Sequence, residues 1–491
     1  MKLSQLMAGM TKAGVTYEVI KGNMEQEISG VVYDSRKVAS GSVFVCLKGF
    51  HSDGHAYIGK AVEAGAAAIV VEDASTCEEY DVTFIKTGDT RAALAYLSAE
   101  WFGNPAQDMV MIGLTGTKGK TTTAHMIKRV LEEAGHHVGM IGTLGAYIGE
   151  EKLPTKNTTP ESYELHSLFA QMKEKGCSHV VMEVSSQGLK QKRTAGIMYD
   201  FGAFLNLSVD HIADGEHADF EEYKACKKLL FEQTKQEIVN LDNDYSEEFL
   251  AVAKNPFTVS ASKEADLTAQ NIQNIWTEDI LGVSFDVAGR LQGNIAVSMP
   301  GVFNVENALV AIAIAYLCGI PQEKIAEAMK KVSVKGRTQL IRETAHFATF
   351  LIDYAHNELS MESLLHMLKA YEPKRLICLF GGGGNKPKQR RYDMGKVAGK
   401  YADLSILTMD NPRFEEVSSI NNDIICGLDV YNGKYEIIED RKEAIEYLID
   451  NAKKGDIIAL IGKGHEDYQE IKGVKYKFCE EQIILDYIKT K

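Results

Sequence analysis

The sequence predicts an α/β protein of three domains: a small N-terminal α/β domain over 1–100, a central parallel-sheet domain with a phosphate loop over 101–333, and a C-terminal Rossmann-like domain over 334–491. Three observations carry this. The stretch Thr115-Gly116-Thr117-Lys118-Gly119-Lys120-Thr121-Thr122 follows an apolar run at 109–112 and precedes a helical pattern with apolar Ala124, Ile127, Val130 and Leu131. That is the strand, turn and helix setting of a phosphate-binding loop. A β-then-α rhythm continues beyond it, as in a parallel sheet. The rhythm stops near Val332-Ser333-Val334-Lys335-Gly336-Arg337 and then starts afresh.

The first block carries short strands at 28–33, 42–47 and 67–71 and a small helix near 57–64. The central block carries strands at 109–114, 138–141, 179–184, 201–207 and 237–241. A hairpin-like stretch at 281–299 then leads to a helix from about 304. In the last block, apolar runs at 350–353, 376–380, 404–407 and 457–461 predict buried strands. Helices are expected at 360–370, 392–401 and 441–451, giving a second doubly wound sheet.

At 491 residues the chain exceeds one ordinary core, and 45% hydrophobic with 25% charged residues describes a soluble globular enzyme. A net charge of −14 argues against a general nucleic-acid binder. No apolar stretch approaches the ~18 residues of a membrane span, and the first residues lead into an amphipathic segment rather than a signal peptide. The eight cysteines are scattered without a C-x-x-C pair, which fits reduced thiols in a cytoplasmic protein.

Gly116 and Gly119 let successive N–H groups point at phosphate oxygens near a helix N-terminus. Lys120 adds a point charge for the terminal phosphates of ATP, and the Thr121 hydroxyl suits Mg²⁺. The spacing is contracted, because Leu114 stands where the general motif has its first glycine. Glu183, closing a neighbouring strand, is placed to hold Mg²⁺. Asn157-Thr158-Thr159-Pro160 is by itself a polar turn, and His211 at another strand end suits either a metal or a phosphate. Lys227, in an amphipathic helix with Lys224 and Lys228, belongs by pattern alone to a solvated face. In the last block, Gly381-Gly382-Gly383-Gly384 is followed by the basic cluster Lys386, Lys388, Arg390 and Arg391. Arg413 suits a carboxylate and Glu466 an amine. Three such strand ends converging on one crevice would take a small zwitterion.

In combination these motifs resemble the Mur ligases, ATP-dependent amide-forming enzymes of peptidoglycan assembly, over essentially the whole chain. The resemblance is strongest to the MurE class, which adds the third amino acid to UDP-N-acetylmuramoyl-L-alanyl-D-glutamate. Its further carriers are Asp34-Ser35-Arg36, Met182-Glu183-Val184-Ser185-Ser186, Gln191 with Arg193, Asn206-Leu207-Ser208 with Asp210-His211, Gly301-Val302-Phe303-Asn304, Gly336-Arg337, Asp353-Tyr354-Ala355-His356 and Asp410-Asn411-Pro412-Arg413. The resemblance implies that Ser35 and the neighbourhood of Phe50-His51-Ser52 bind the UDP portion. Asn157, Thr158, Thr159, Ser185, Gln191 and Arg193 would hold the sugar and peptide. Gly116, Thr117, Lys118, Gly119, Lys120, Thr121 and Thr122 would bind ATP, with Asn304, Arg337 and Asp353 also contacting the nucleotide.

Lys120, Glu183, His211 and Lys227 would be catalytic, and Thr121, Glu183, His211 and a carbamylated Lys227 would serve two Mg²⁺ sites. Lys386, Asp410, Asn411, Pro412, Arg413, Gly462 and Glu466 would bind the incoming amino acid, for which the Asp-Asn-Pro-Arg form implies meso-diaminopimelate. The family pattern has an arginine where Lys386 stands, so one carboxylate fork is replaced by a point charge. L-lysine or another acceptor, a folylpolyglutamate-synthase-like ligase and a non-ligating nucleotide-binding paralogue stay open on the sequence. The resemblance implies a cytoplasmic bacterial monomer with the nucleotide-sugar dipeptide and a diamino acid as partners.

Overall fold

A computed structural model describes residues 1–49, 52–210, 212–213 and 215–491 of the chain. Two compact units are formed, one from Met1–Asp266 with Val310–Pro321, the other from Leu267–Leu309 with Gln322–Lys491.

The first unit holds two sheets. The smaller has the order Tyr17–Lys21, Thr83–Thr87, Ala68–Val71, Ser42–Val45, Gly30–Val32, parallel except for its first strand. Leu3–Lys12 packs on one face because Leu3, Leu6, Met7 and Met10 recur at helical spacing. Thr90–Trp101 joins it there, and Ile58–Glu63 covers the other face through Ile58 and Ala61. The strands Tyr17–Lys21 and Thr83–Thr87 and the helices Leu3–Lys12 and Thr90–Trp101 add to the elements expected in this block.

In the larger sheet the unit's strands run Pro256–Ser260, Thr234–Asn240, Tyr199–Phe204, Val110–Thr115, His179–Glu183, Val138–Gly142, Gly145–Ile148, Glu151–Leu153. The first six are parallel and the last two return antiparallel. Val110–Thr115 lies between Tyr199–Phe204 and His179–Glu183, where the order of connections reverses. Ligands of open α/β sheets sit at such a switch, beyond the carboxyl ends of the strands. The chain places Gly116, Glu183 and Gly142 at those ends.

The second unit has a six-stranded sheet in the order Gln339–Ile341, Thr349–Asp353, Asp456–Ile461, Arg375–Phe380, Leu404–Leu407, Tyr435–Ile437. All but Gln339–Ile341 are parallel. Glu358–Lys369, Lys388–Tyr401 and Val417–Leu428 cover one face, and Arg441–Asn451 with Glu480–Ile488 the other. The antiparallel strands Leu267–Trp276, Leu281–Gly289 and Gly293–Val297 belong to the same unit.

Two sequence expectations change here. The helix expected at 392–401 begins at Lys388, so Lys388, Arg390 and Arg391 ride its first turn. Arg391 is buried and bonded to Glu415, Asp423 and the Gly383 carbonyl, which makes it a brace rather than part of a free basic cluster. The lysines of Phe220–Glu232 do not form a solvated face: Lys224 and Lys227 are buried, and Lys224 pairs with Glu221 and Glu248.

Candidate functional site

The phosphate loop closes onto the helix Lys120–Glu133, with Gly119 at its N-cap in the left-handed region (φ +84°) that favours glycine. Asn206 docks the loop from the side. Its carbonyl accepts from Thr117 N at 3.0 Å, its Oδ1 accepts from Lys118 N at 2.9 Å, and its Nδ2 donates to the Lys118 carbonyl at 3.1 Å. Thr117 Oγ1 also lies 3.1 Å from the Tyr223 hydroxyl.

Two lysines converge on one carbonyl. Lys120 Nζ donates to the Gly116 oxygen at 2.7 Å, and Lys227 Nζ donates to the same oxygen at 2.8 Å. Lys227 is 1% exposed and its ammonium lies 4.5 Å from the Tyr223 ring centroid. Burial, and then the charge of Lys120, push Lys227 well below the ordinary lysine value. Burial also lowers Lys120, against the opposing pull of Glu183 and Asp210.

Glu183 is the buried carboxylate of the group. Its Oε1 accepts from Thr121 Oγ1 at 2.9 Å and Thr143 N at 3.0 Å, and its Oε2 accepts from Thr143 Oγ1 at 3.1 Å. Thr143, passed over in the sequence, follows the strand Val138–Gly142 and reaches Thr158 Oγ1 at 3.1 Å. Its position after a strand end was the available signal.

A cavity of about 330 Å³ is lined by Lys120, Lys227, Asn157, Thr158, Ser185, Gln191 and Arg193 among others. Thus the residues expected to hold phosphate and those expected to hold sugar and peptide share one space. Thr159 is buried beside it: its hydroxyl donates to the Glu183 carbonyl at 2.9 Å and accepts from Ser185 N at 2.9 Å. Arg193 donates to the Thr159 carbonyl at 2.8 Å and pairs with Glu161 at 2.9 Å. Ser35 opens a short 3₁₀ turn capped by Asp34, and Thr122 is half-buried in the first turn of Lys120–Glu133. His211, Phe50 and His51 lie outside the described residues.

The second unit has its own cavity, of about 210 Å³, lined by Tyr354, His356, Gly381, Gly382, Gly383, Lys386, Arg390, Arg391, Met394, Asp410, Asn411, Arg413, Gly462 and Glu466. Arg413 donates to Glu470 at 3.2 Å and the Gly384 carbonyl at 2.7 Å. Arg390 donates through Nε to the His356 carbonyl at 2.7 Å. Pro412 is buried and does not line the cavity; its carbonyl abuts Gly384. Lys463, for which the sequence suggested no role, lies behind the cavity wall, hydrogen-bonded to Asp410, Asn411 and Glu466.

Asn304, Arg337 and Asp353 also belong to the second unit, and none lines this cavity. Asn304 donates to the Pro300 carbonyl at 2.8 Å, and the Arg337 guanidinium lies 5.3 Å from the Tyr354 ring centroid. Asp353 accepts from Thr338 N and Ala355 N, both at 2.7 Å, while burial raises its carboxyl above the ordinary range.

Fold and site together define a phosphate-loop α/β protein with a second, Rossmann-like sheet carrying a charged small-molecule cavity. Residues 27–102 match the Mur ligase family catalytic domain, 114–315 the Mur ligase middle domain and 336–464 the Mur ligase glutamate ligase domain. The chain belongs to the Mur ligase family. It is 41% identical to the UDP-N-acetylmuramoyl-L-alanyl-D-glutamate–2,6-diaminopimelate ligase of Clostridium perfringens, covering 97% of this chain and 98% of that one. The protein of the same name from Caldanaerobacter subterraneus is also 41% identical, over 97% of each chain. A solved UDP-N-acetylmuramoyl-L-alanyl-D-glutamate–2,6-diaminopimelate ligase aligns with TM-score 0.77 at 26% identity, over 100% of this chain and 99% of that one.

Proposed function

We propose that this protein is an ATP-dependent ligase that joins meso-diaminopimelate to UDP-N-acetylmuramoyl-L-alanyl-D-glutamate, with ADP and phosphate as the other products. The observation that carries the reading is the shared cavity in which Lys120 and Lys227 meet Asn157, Thr158, Ser185 and Gln191. A phosphate site and a polar peptide site in one space suit transfer of a γ-phosphate onto a carboxylate. The D-glutamate carboxylate attacks the γ-phosphorus, ADP leaves, and an acyl phosphate results. The acceptor amine then attacks the acyl carbon, phosphate leaves with the bonding electrons, and the amine loses a proton. Lys120 and the loop N–H groups neutralise charge on the transferred group.

Mg²⁺ would supply charge neutralisation between the phosphates, held by the Thr121 hydroxyl and the Glu183 carboxylate. The donor set fits, since both are oxygen ligands already 2.9 Å apart. Lys227 suits carbamylation: a neutral amine is what attacks CO₂, and its depressed value favours that form. An N–C bond forms, one proton leaves, and the product carboxylate faces Lys120 as a counter-ion instead of a like charge. His211 is assigned as a further metal-site residue by its motif alone.

The acceptor reading rests on charge. Lys386, Arg390 and Arg413 supply cations to the 210 Å³ cavity, and Asp410 and Glu466 supply anions. Diaminopimelate brings two carboxylates to these three cations, whereas L-lysine brings only one. Its nucleotide substrates place the reaction in the bacterial cytoplasm. Competition among meso-diaminopimelate, L-lysine and L-ornithine with mass detection tests the acceptor, and preference for L-lysine overturns it. Phosphate release that is equally fast without the nucleotide-sugar dipeptide and acceptor overturns the ligase reading itself.

A further inference from the structure

Lys463 is 0% exposed. Lysine is almost never buried so fully unless paired, and here it is paired three times. Its Nζ donates to Asp410 Oδ1 at 3.2 Å, Asn411 Oδ1 at 3.0 Å and Glu466 Oε2 at 3.3 Å. An ammonium has three donors, so all are committed to protein. All three acceptors belong to residues that line the 210 Å³ cavity, and Lys463 does not line it. The knot is cross-braced: Asn411 Nδ2 donates to Glu466 Oε2 at 2.9 Å, and Glu470 N donates to Asn411 Oδ1 at 2.9 Å.

Without the lysine, Asp410, Asn411 and Glu466 would each lose the bond that fixes its side chain from behind the cavity. With it, each carboxylate has one oxygen tied down from behind, and the other is available to a ligand.

We propose that Lys463 is the positioning residue of the acceptor pocket, holding Asp410 and Glu466 aimed so that their remaining oxygens receive an ammonium of the incoming diamino acid. This rests on the reading of the cavity as the acceptor site. Lys463 touches no substrate and acts through its three partners.

The test separates the two half-reactions in Lys463→Met and Lys463→Gln. Acyl phosphate is trapped as a hydroxamate by hydroxylamine, with ATP and the nucleotide-sugar dipeptide present and no diamino acid. Product formation is then followed against meso-diaminopimelate concentration. Hydroxamate formation is expected within about twofold of wild type, while the acceptor KM rises by roughly 100-fold, as for loss of a buried charge partner. A lysine that merely fills space would leave the acceptor KM of Lys463→Met, which keeps most of the side-chain volume, near wild type. Unchanged KM, or joint loss of hydroxamate and product in both variants, overturns the proposal. Absence of hydroxamate with the wild-type protein overturns the ligase reading instead.

Discussion

Replacing Gly142 by alanine should disable the phosphate site from outside it. A Cβ at Gly142 would stand 2.2 Å from Glu183 Oε1 and 2.8 Å from its carboxyl carbon. Carbon and oxygen need more than 3 Å, so the carboxylate must retreat by about 1 Å, a misplacement on the order of 10²-fold in rate. That retreat stretches the bonds from Thr121 Oγ1, Thr143 N and Thr143 Oγ1, now 2.9, 3.0 and 3.1 Å. Each bond to a charged group is worth about 1.5–3 kcal/mol, so the fold should lose part of that as well. We expect Gly142→Ala to lower turnover by about 100-fold at saturating substrates, which is about 2.7 kcal/mol of barrier. Phosphate release measures the rate and thermal melting the stability. Gly88→Ala, where an added Cβ meets nothing within 4 Å, serves as the control. Turnover of Gly142→Ala within threefold of wild type would refute the role given to the Glu183 carboxylate.

Three further outcomes are expected. Lys227→Met should abolish product formation yet raise the melting temperature in CO₂-free buffer at neutral pH, since a lysine whose charged form is disfavoured by burial and by Lys120 is removed. Its folded value lies below the ordinary ~10.4, so between the two the unfolded chain holds the extra proton and wild-type stability rises with pH; the variant's advantage should therefore shrink as pH climbs, and an advantage that grows would contradict it. His166 is buried, neither ring nitrogen has a hydrogen-bond partner among the described residues, and burial lowers it to about 4. Stability should thus fall as pH drops from about 6.5 to 4, by up to roughly 3 kcal/mol, and denaturant titrations of His166→Leu should lack that share of the slope. Arg391→Ala should cost about 1–3 kcal/mol by removing the hydrogen bonds it gives to Glu415 and Asp423, which are themselves partly exposed; Arg391 holds the Glu415 carboxyl down at about 2, so the loss should shrink as pH falls from about 5 towards 2.

Much of the chemistry was legible before the fold. The phosphate loop, Glu183, Asp410-Asn411-Pro412-Arg413 and Gly462-Lys463-Gly464-His465-Glu466 are contiguous motifs at the ends of apolar runs, and strand ends are where open α/β sheets carry function. Lys227 was different. Helical spacing put it among three lysines with no sign of which faced inward, and only the family resemblance singled it out. Arg391 was misleading for the same reason, because a cation in a basic run looks solvent-bound until its acidic partners, 24 and 32 residues away, are brought alongside.

The α/β class, the phosphate loop and the family are legible in the chain alone, since they depend on local periodicity and on short runs of backbone and side chain that act together. Only the folded chain shows which charges line a cavity and which brace its walls. It put Lys120 and Lys227 on one carbonyl, closed Thr143 onto Glu183, and drew Lys463 behind Asp410 and Glu466. The reason is physical: the state of a charge depends on its burial and on partners distant in the chain, and neither is written in the spacing of residues along it.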